Sequence, residues 1–310
     1  MHALVIGGNG FIGSSLVEKL RASGNTVRVL DQSSPRKDIN WADVEYVIGS
    51  LAEKELLPSL LKGVDTVFHL ASSTVPSTSN LDPVADVQTN LVGALNLCDA
   101  MMHTGRRRLV FFSSGGTVYG EPQRLPVPED HPLRPISSYG VVKVAIENYL
   151  LMYEKLGALD PLILRPSNPY GPRQSGAGVQ GVIAAFLGKA ARGENANIWG
   201  DGEIIRDYLH IDDLIAFAVS AGLGKKTGVV NVGSGHGHTL NQIVELVRVT
   251  TGVPLSVEYA PGRNYDVAEI VLDISLAKTR FDWHPTISMS EGINRTWKAI
   301  KLREMDNYCR

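Results

Sequence analysis

Short apolar runs recur along the first half of the chain, separated by longer stretches of helical spacing. The runs are HALVIGG, TVRVLDQ, VEYVIGS, DTVFHLAS, RLVFFSS and LDPLILRP, the last over 159–166. Each is apolar almost throughout, the pattern of a strand buried on both faces. Between the first two lies FIGSSLVEKLRASG, with Phe11, Ile12, Leu16, Val17 and Leu20 on one helical stripe and Gly24 to stop it. AEKELLPSLLKG, DPVADVQTNLVGALNLCDAMMHTG and YGVVKVAIENYLLMYEKLG read as further helices. Strand–helix alternation of this kind predicts an α/β fold with a doubly wound parallel sheet of Rossmann type, helices covering both faces.

The alternation ends at Pro166. SNPYGPRQSGAGVQG is rich in glycine, proline and polar residues, and beyond it long helices and isolated short strands mix. We expect residues 1–166 to form the sheet domain, with 210–235 (HIDDLIAFAVSAGL and GVVNVG) returning to it. Residues 167–209 and 236–310 should then build a smaller mixed α/β region. Two helices are apolar on more than one stripe. One, over 139–156, carries Val141, Val142, Val144, Ala145, Ile146, Tyr149, Leu150, Leu151, Met152, Tyr153 and Leu156. The other, over 84–104, carries Leu91, Val92, Ala94, Leu95, Leu97, Cys98, Met101 and Met102. A second apolar face on each points to a homodimer built from these helices.

Composition narrows the partners. The 310 residues have a formal net charge of −2 with mixed signs, which offers no basic surface to nucleic acid. The apolar runs are far short of a membrane span, and the N-terminal MHALVIGGNGFIG has neither a basic leader nor a cleavage-like site. Cys98 and Cys309 give no disulfide framework and no metal spacing. A cytoplasmic protein without metal, membrane or nucleic-acid partner is expected.

Two constellations carry chemistry. GGNGFIG, with Gly7, Gly10 and Gly13, lies between the first strand and the first helix. Glycines there allow a tight turn and close approach of backbone to a pyrophosphate, which meets the helix N-terminus. Asp31 ends the second strand, where a carboxylate suits two ribose hydroxyls and repels a 2′-phosphate, favouring NAD over NADP. Tyr139 and Lys143 form YxxxK at a helix start, one turn apart on one face. A neighbouring ammonium should lower the phenol's pKa and make it a usable base. The loop SSGGTVYG (113–120) supplies hydroxyls but no acid or base.

GGNGFIG, VLD, HLAS, NLVGALNL, SSGGTVYG, YGVVK, LRPSNPYGPRQ, GDGEIIRDYLHIDD and GRNYD together resemble the extended short-chain dehydrogenases/reductases of the nucleotide-sugar epimerase/dehydratase group, most of all the UDP-sugar 4-epimerases. The pieces occur in family order from Met1 to about Trp283. The resemblance implies Tyr139 as base, Lys143 as its partner, and Ser114 or Thr117 as the third catalytic member. It implies NAD contacts at Gly7, Gly10, Phe11, Ile12, Gly13, Asp31, Gln32, Ser50, Leu51, Leu70, Ala71, Ser72, Asn90, Ser113, Tyr139, Lys143 and Pro166. For the UDP-sugar it implies Ser114, Tyr139, Asn168, Arg206, Arg263 and Asp266, with Ile270 near the sugar's C2 substituent. His69 and His210 are expected to be structural.

Dehydratases of the group carry an Asp-Glu pair in the loop to expel water, and decarboxylases a Glu. Here those positions hold Gly116 and Thr117, which suits inversion at C4 through a transient 4-keto sugar. A dehydratase with an unusual acid/base set, a nucleotide-sugar reductase, and a catalytically idle NAD-binding sensor or scaffold are the rival readings. Asp31 opposes the reductase, and an intact Tyr139–Lys143 pair opposes the idle binder.

Overall fold

The computed structural model describes residues 1–174, 181–262 and 267–308, which divide into two compact units. Unit 1 comprises Met1–Tyr119, Pro132–Arg165 and Ile215–Val230, and unit 2 comprises Gly120–His131, Pro166–Leu214 and Asn231–Arg310. Residues 120–131, read in the sequence as part of the first region, fall in unit 2. The reason is backbone pairing: Val127 N–H donates to the Val271 carbonyl at 2.7 Å, and Asp273 N–H donates to the Val127 carbonyl at 2.9 Å.

The first half of unit 1 runs β1 (His2–Ile6), α1 (Phe11–Ala22), β2 (Thr26–Asp31), β3 (Val44–Ile48), α2 (Leu57–Leu61) and β4 (Thr66–His69). It continues through α3 (Pro83–Asp86), a π-helical turn (Val87–Val92), α4 (Gly93–His103), β5 (Arg108–Phe112), α5 (Ser138–Lys155) and β6 (Asp160–Pro166). Further on come β7 (Asn168–Tyr170), α6 (Val182–Arg192), β8 (Ala196–Trp199), β9 (Ile205–His210), α7 (Ile211–Gly222) and β10 (Gly228–Val232).

The seven-stranded sheet has the order β10-β6-β5-β4-β1-β2-β3. β1 pairs in parallel with both β2 and β4, so the strand order reverses there. In open α/β sheets ligands bind outside the carboxyl ends of the strands at such a reversal. The strand interiors justify their unbroken apolar character: Leu4, Val5, Val29, Phe68, Val110 and Ile163 are all buried. α2, α4 and α5 supply Leu57, Leu61, Leu97, Met101, Ile146 and Leu150 to the core that includes Leu4 and Ile163. The end of α7 returns to unit 1, where the Arg108 guanidinium donates to the carbonyls of Ala221 and Gly222.

The stretch over 84–104 is helical without a break as far as His103, but it is not a regular α-helix throughout. The π-helical turn at Val87–Val92 widens it, and Asp86 just before the turn and Asn90 within it have their side chains bonded to the loop after β4.

Unit 2 completes the chain with β11 (Gly237–Thr239), α8 (Leu240–Thr251), β12 (Val257–Ala260), β13 (Glu269–Ile270), α9 (Ser275–Phe281) and α10 (Met289–Tyr308). β9 is its hub, pairing with β7, β11 and β13, and its own core gathers Phe186, Leu187, Ile198, Val244, Leu255 and Ile293. Among the described residues no helix is long and apolar enough to cross a membrane.

Candidate active site

The glycine turn leaves β1 and enters α1 with almost no free space. Gly7 has φ +85°, and a Cβ there would stand 2.7 Å from the Ala71 backbone nitrogen. A Cβ on Gly13 would stand 2.0 Å from the Gly7 carbonyl oxygen. Gly10 differs: a Cβ there would meet nothing nearer than 3.5 Å. The turn is therefore packed from below and open at Gly10, which is the N-cap of α1. No side chain caps that helix, and its first turn carries no acidic residue. Uncapped amides at Phe11 and Ile12, with the positive end of the helix dipole, suit a pyrophosphate.

The neighbouring strand ends face the same crevice. Asp31 Oδ2 accepts from Asn9 N–H at 2.9 Å, and Oδ1 accepts from the Ser33 amide and hydroxyl at 3.0 and 2.7 Å. The carboxylate thus braces the glycine turn and keeps one lone pair, on Oδ2, for a further donor. The Gln32 amide donates to the Ser50 hydroxyl at 3.1 Å, joining the ends of β2 and β3, with Leu51 buried behind them. The amides of Leu70 and Ala71 both donate to the Ile6 carbonyl, which holds the loop after β4 against β1. Ser72 donates to the Thr74 carbonyl. Asn90 spends both ends of its amide: Oδ1 accepts from Ser73 N–H, and Nδ2 donates to the Ser73 hydroxyl and to Asp86. Its role in this structure is to tether the loop. An adenine dinucleotide fits what these residues offer.

The second cluster sits where β5 ends and α5 begins. Ser137 caps α5, accepting from Gly140 N–H at 3.2 Å. Tyr139 shares a side-chain hydrogen bond with Ser114. The Lys143 ammonium lies 5.4 Å from the Tyr139 ring centroid and donates to the Phe112 carbonyl at 2.9 Å. Thr117 Oγ1 is buried with no hydrogen-bond partner. The structure therefore brings Ser114, Tyr139 and Lys143 together and leaves the Thr117 hydroxyl outside their bonding.

The electrostatics differ from the expectation drawn from spacing. The Tyr139 phenol is not lowered; burial pushes it up to about 12, against the Ser114 hydrogen bond, with Asp86 adding to the rise. Burial also brings Lys143 down to about 8, opposed by Glu147 and Asp86. Spacing identifies the neighbour but not the loss of water, and here desolvation outweighs the one lowering influence, the Ser114 hydrogen bond. Burial likewise holds His69 down to about 3, so it stays neutral.

Behind the cluster lies a pair absent from the sequence reading. Glu147 and Arg165 form a salt bridge at 2.5 Å with side chains 1% and 4% exposed. Arg165 also donates to the Tyr119 hydroxyl at 3.0 Å, and Ser113 donates its hydroxyl to Glu147. The Ser113 side chain is thus committed to the protein interior. The available signal was a lone Arg inside the apolar run LILRP and a Glu on the buried stripe of α5.

Asn168 and Arg206 belong to unit 2, and Pro166 is the first residue of the segment that enters it. Asn168 donates to the Asp207 carbonyl at 2.9 Å, and Arg206 to the Ile205 carbonyl at 2.8 Å. Ile270 is buried on β13, in register with Arg206. His210 is buried, its Nδ1 accepting from Asp212 N–H. Arg263 and Asp266 lie outside the described residues.

The profile of the NAD dependent epimerase/dehydratase family matches residues 3–233. A putative UDP-glucose 4-epimerase of Methanocaldococcus jannaschii is 36% identical over 301 residues, 96% of this chain and 98% of that protein. The crystal structure of the Thermotoga maritima UDP-glucose 4-epimerase with UDP-glucose superposes with a TM-score of 0.94 at 35% identity, covering 98% of this chain and all of that one. The Thermus thermophilus UDP-glucose 4-epimerase in complex with NAD gives 0.90 at 34% identity, covering 97% and 99%.

Proposed function

The chain belongs to the NAD-dependent epimerase/dehydratase family, and from that premise we propose that it is an NAD-dependent epimerase inverting C4 of a UDP-sugar through a transient 4-keto sugar. UDP-glucose/galactose or their N-acetylated forms are the substrates of this reading. The observation that carries it is the Ser114–Tyr139–Lys143 cluster, in which Ser114 comes from a loop that continues with Gly115, Gly116 and Thr117. Elimination of water needs a proton donor for the departing hydroxyl, and no carboxyl stands in 113–120 to serve. Inversion at one carbon needs only a group that takes a hydroxyl proton and returns it.

Tyr139 is that group. NAD, when bound, supplies the hydride acceptor and donor and, in its oxidised form, a cationic ring. Phe11 and Ile12 amides hold its pyrophosphate, Asp31 its adenosine ribose, and Lys143 its second ribose. Ser114 orients the reacting hydroxyl toward the phenol and steadies the 4-keto oxygen once the proton has left. Asn168, Arg206, Arg263 and Asp266 hold the nucleotide end, with guanidinium groups suited to a diphosphate. Homodimerisation through the helices over 84–104 and 139–156, and a cytoplasmic setting, complete the proposal.

The test is incubation with a panel of UDP-sugars and NMR of the products. Interconversion of C4 epimers without net consumption of cofactor is expected. Loss of water, net redox or no turnover across the panel would overturn it.

A further inference from the structure

Three successive residues at the exit of β5 are each held by a different residue of α5, at four-residue intervals. The Phe112 carbonyl accepts from Lys143. The Ser113 hydroxyl donates to Glu147. Ser114 shares its hydrogen bond with Tyr139. Residues 139, 143 and 147 lie on one helical line, so strand exit and helix face are clamped at consecutive points. The middle clamp is buried, and its carboxylate is fixed from a second direction by Arg165 of β6, through Nε to both oxygens and Nη2 to Oε2. Arg165 is fixed in turn by Tyr119, at the far end of the same loop. Both ends of the 113–119 loop therefore hang on one buried ion pair.

We infer that Glu147, locked by Arg165, is a positioning residue: by gripping Ser113 it sets where the Ser114 hydroxyl meets Tyr139, and it stands one turn from Lys143 along the same face of α5. The assignment rests on Tyr139 acting as the base. A hydroxyl displaced by about 1 Å loses much of its contribution to a proton transfer. A buried ion pair costs desolvation that a pair of apolar residues would avoid, so a role in placement gives the pair a reason beyond stability. Its charge also acts on Lys143. The groups around that ammonium are Tyr139 and Glu147 on α5, Asp86 on α3, and the buried neutral His69 on β4. Glu147 and Asp86 are the two that favour its charged form.

Two variants read the two effects separately. S113A keeps the ion pair and removes only the grip on the loop. Its kcat should fall about tenfold to a hundredfold, the scale of a misplaced group, with KM for the UDP-sugar and affinity for NAD within about twofold of wild type. E147Q keeps the shape and removes the charge. Less stabilisation of the ammonium lowers the Lys143 pKa, so the alkaline limb of its kcat–pH profile should move to lower pH. Y139F, assayed alongside, keeps the readings apart: if it retains near-normal turnover, the assignment of the base fails first. If Y139F is inactive while S113A turns over normally, or loses NAD affinity rather than kcat, the positioning role is wrong. A folded E147Q whose alkaline limb stays in place overturns it equally. If E147Q does not fold, S113A decides alone.

Discussion

Tyr139 is held in its neutral form by burial, and Ser114 is the side chain bonded to it. Tyr139→Phe keeps the ring and removes the proton acceptor, so turnover should fall by about 10²–10⁴ while calorimetric binding of NAD is retained. Near-normal turnover would remove Tyr139 from the role. Ser114→Ala should cost more activity than Thr117→Val, because only Ser114 is bonded to the phenol; equal losses would say that the loop moves as one piece. On the proposed assignment Asp31 separates the cofactors, so calorimetry should give tighter binding of NAD than NADP, the reverse order overturning it. Tyr139, Lys143 and Asp31 were legible as candidates because each lies at a fixed offset from a strand end or helix start, whereas the sequence did not choose between Ser114 and Thr117. Glu147 and Arg165 were not legible. Each breaks an apolar pattern, and only the pairing of α5 with β6 in space shows that the two breaks answer each other. Arg165→Met, which strands the Glu147 carboxylate, should cost about 3–5 kcal/mol of stability, measured by denaturant unfolding.

At the scale of elements, the helix α1 owes its placement to the glycine beneath its first turn. Gly13→Ala would set a methyl 2.0 Å from the Gly7 carbonyl oxygen, and backbone rather than a flexible side chain must give way. The expected result is a loss of about 1–3 kcal/mol, as for overpacking, together with weaker NAD binding, since the same shift moves the Phe11 and Ile12 amides. A variant with unchanged melting temperature and NAD affinity would show that the turn yields more easily than its geometry implies. The strand β1 and helix α1 were readable from periodicity alone. The π-helical turn at Val87–Val92 was not, because its apolar spacing is compatible with an ordinary helix. What marks it is tertiary: Asp86 accepts from Thr74, Asn90 and Ser138, each at 2.7 Å, gathering the loop after β4 and the start of α5 onto the widened turn.

At the scale of the whole molecule, the alternation of strand and helix announced the sheet up to Pro166, but the placement of residues 120–131 depended on the remote partners Val271 and Asp273, which no local pattern names. The second apolar face of α5 was legible, and the structure now says which residues carry it. Val141, Tyr149, Met152 and Leu156 are exposed, as are Val84, Val87 and Val92 on α3 and the turn that follows. The two groups are neighbours: Ser138 at the start of α5 donates its amide to Asn80 and its hydroxyl to Asp86. Leu151, apolar in the same stretch, packs against the core of unit 1 instead, so a charge there would report on folding rather than association. The informative substitutions are Val141→Glu and Met152→Glu, at 52% and 42% exposure. Each would be nearly neutral for a monomer, because an exposed surface change costs within about 0.5 kcal/mol. In a dimer closed by this face each would bury an unpaired carboxylate on both sides of a two-fold contact. Light scattering of the wild-type protein should give the mass of two chains, and both variants should give one chain with an unchanged melting profile at high dilution. A wild-type mass of one chain removes the dimer, and a dimer that tolerates both charges closes through another surface.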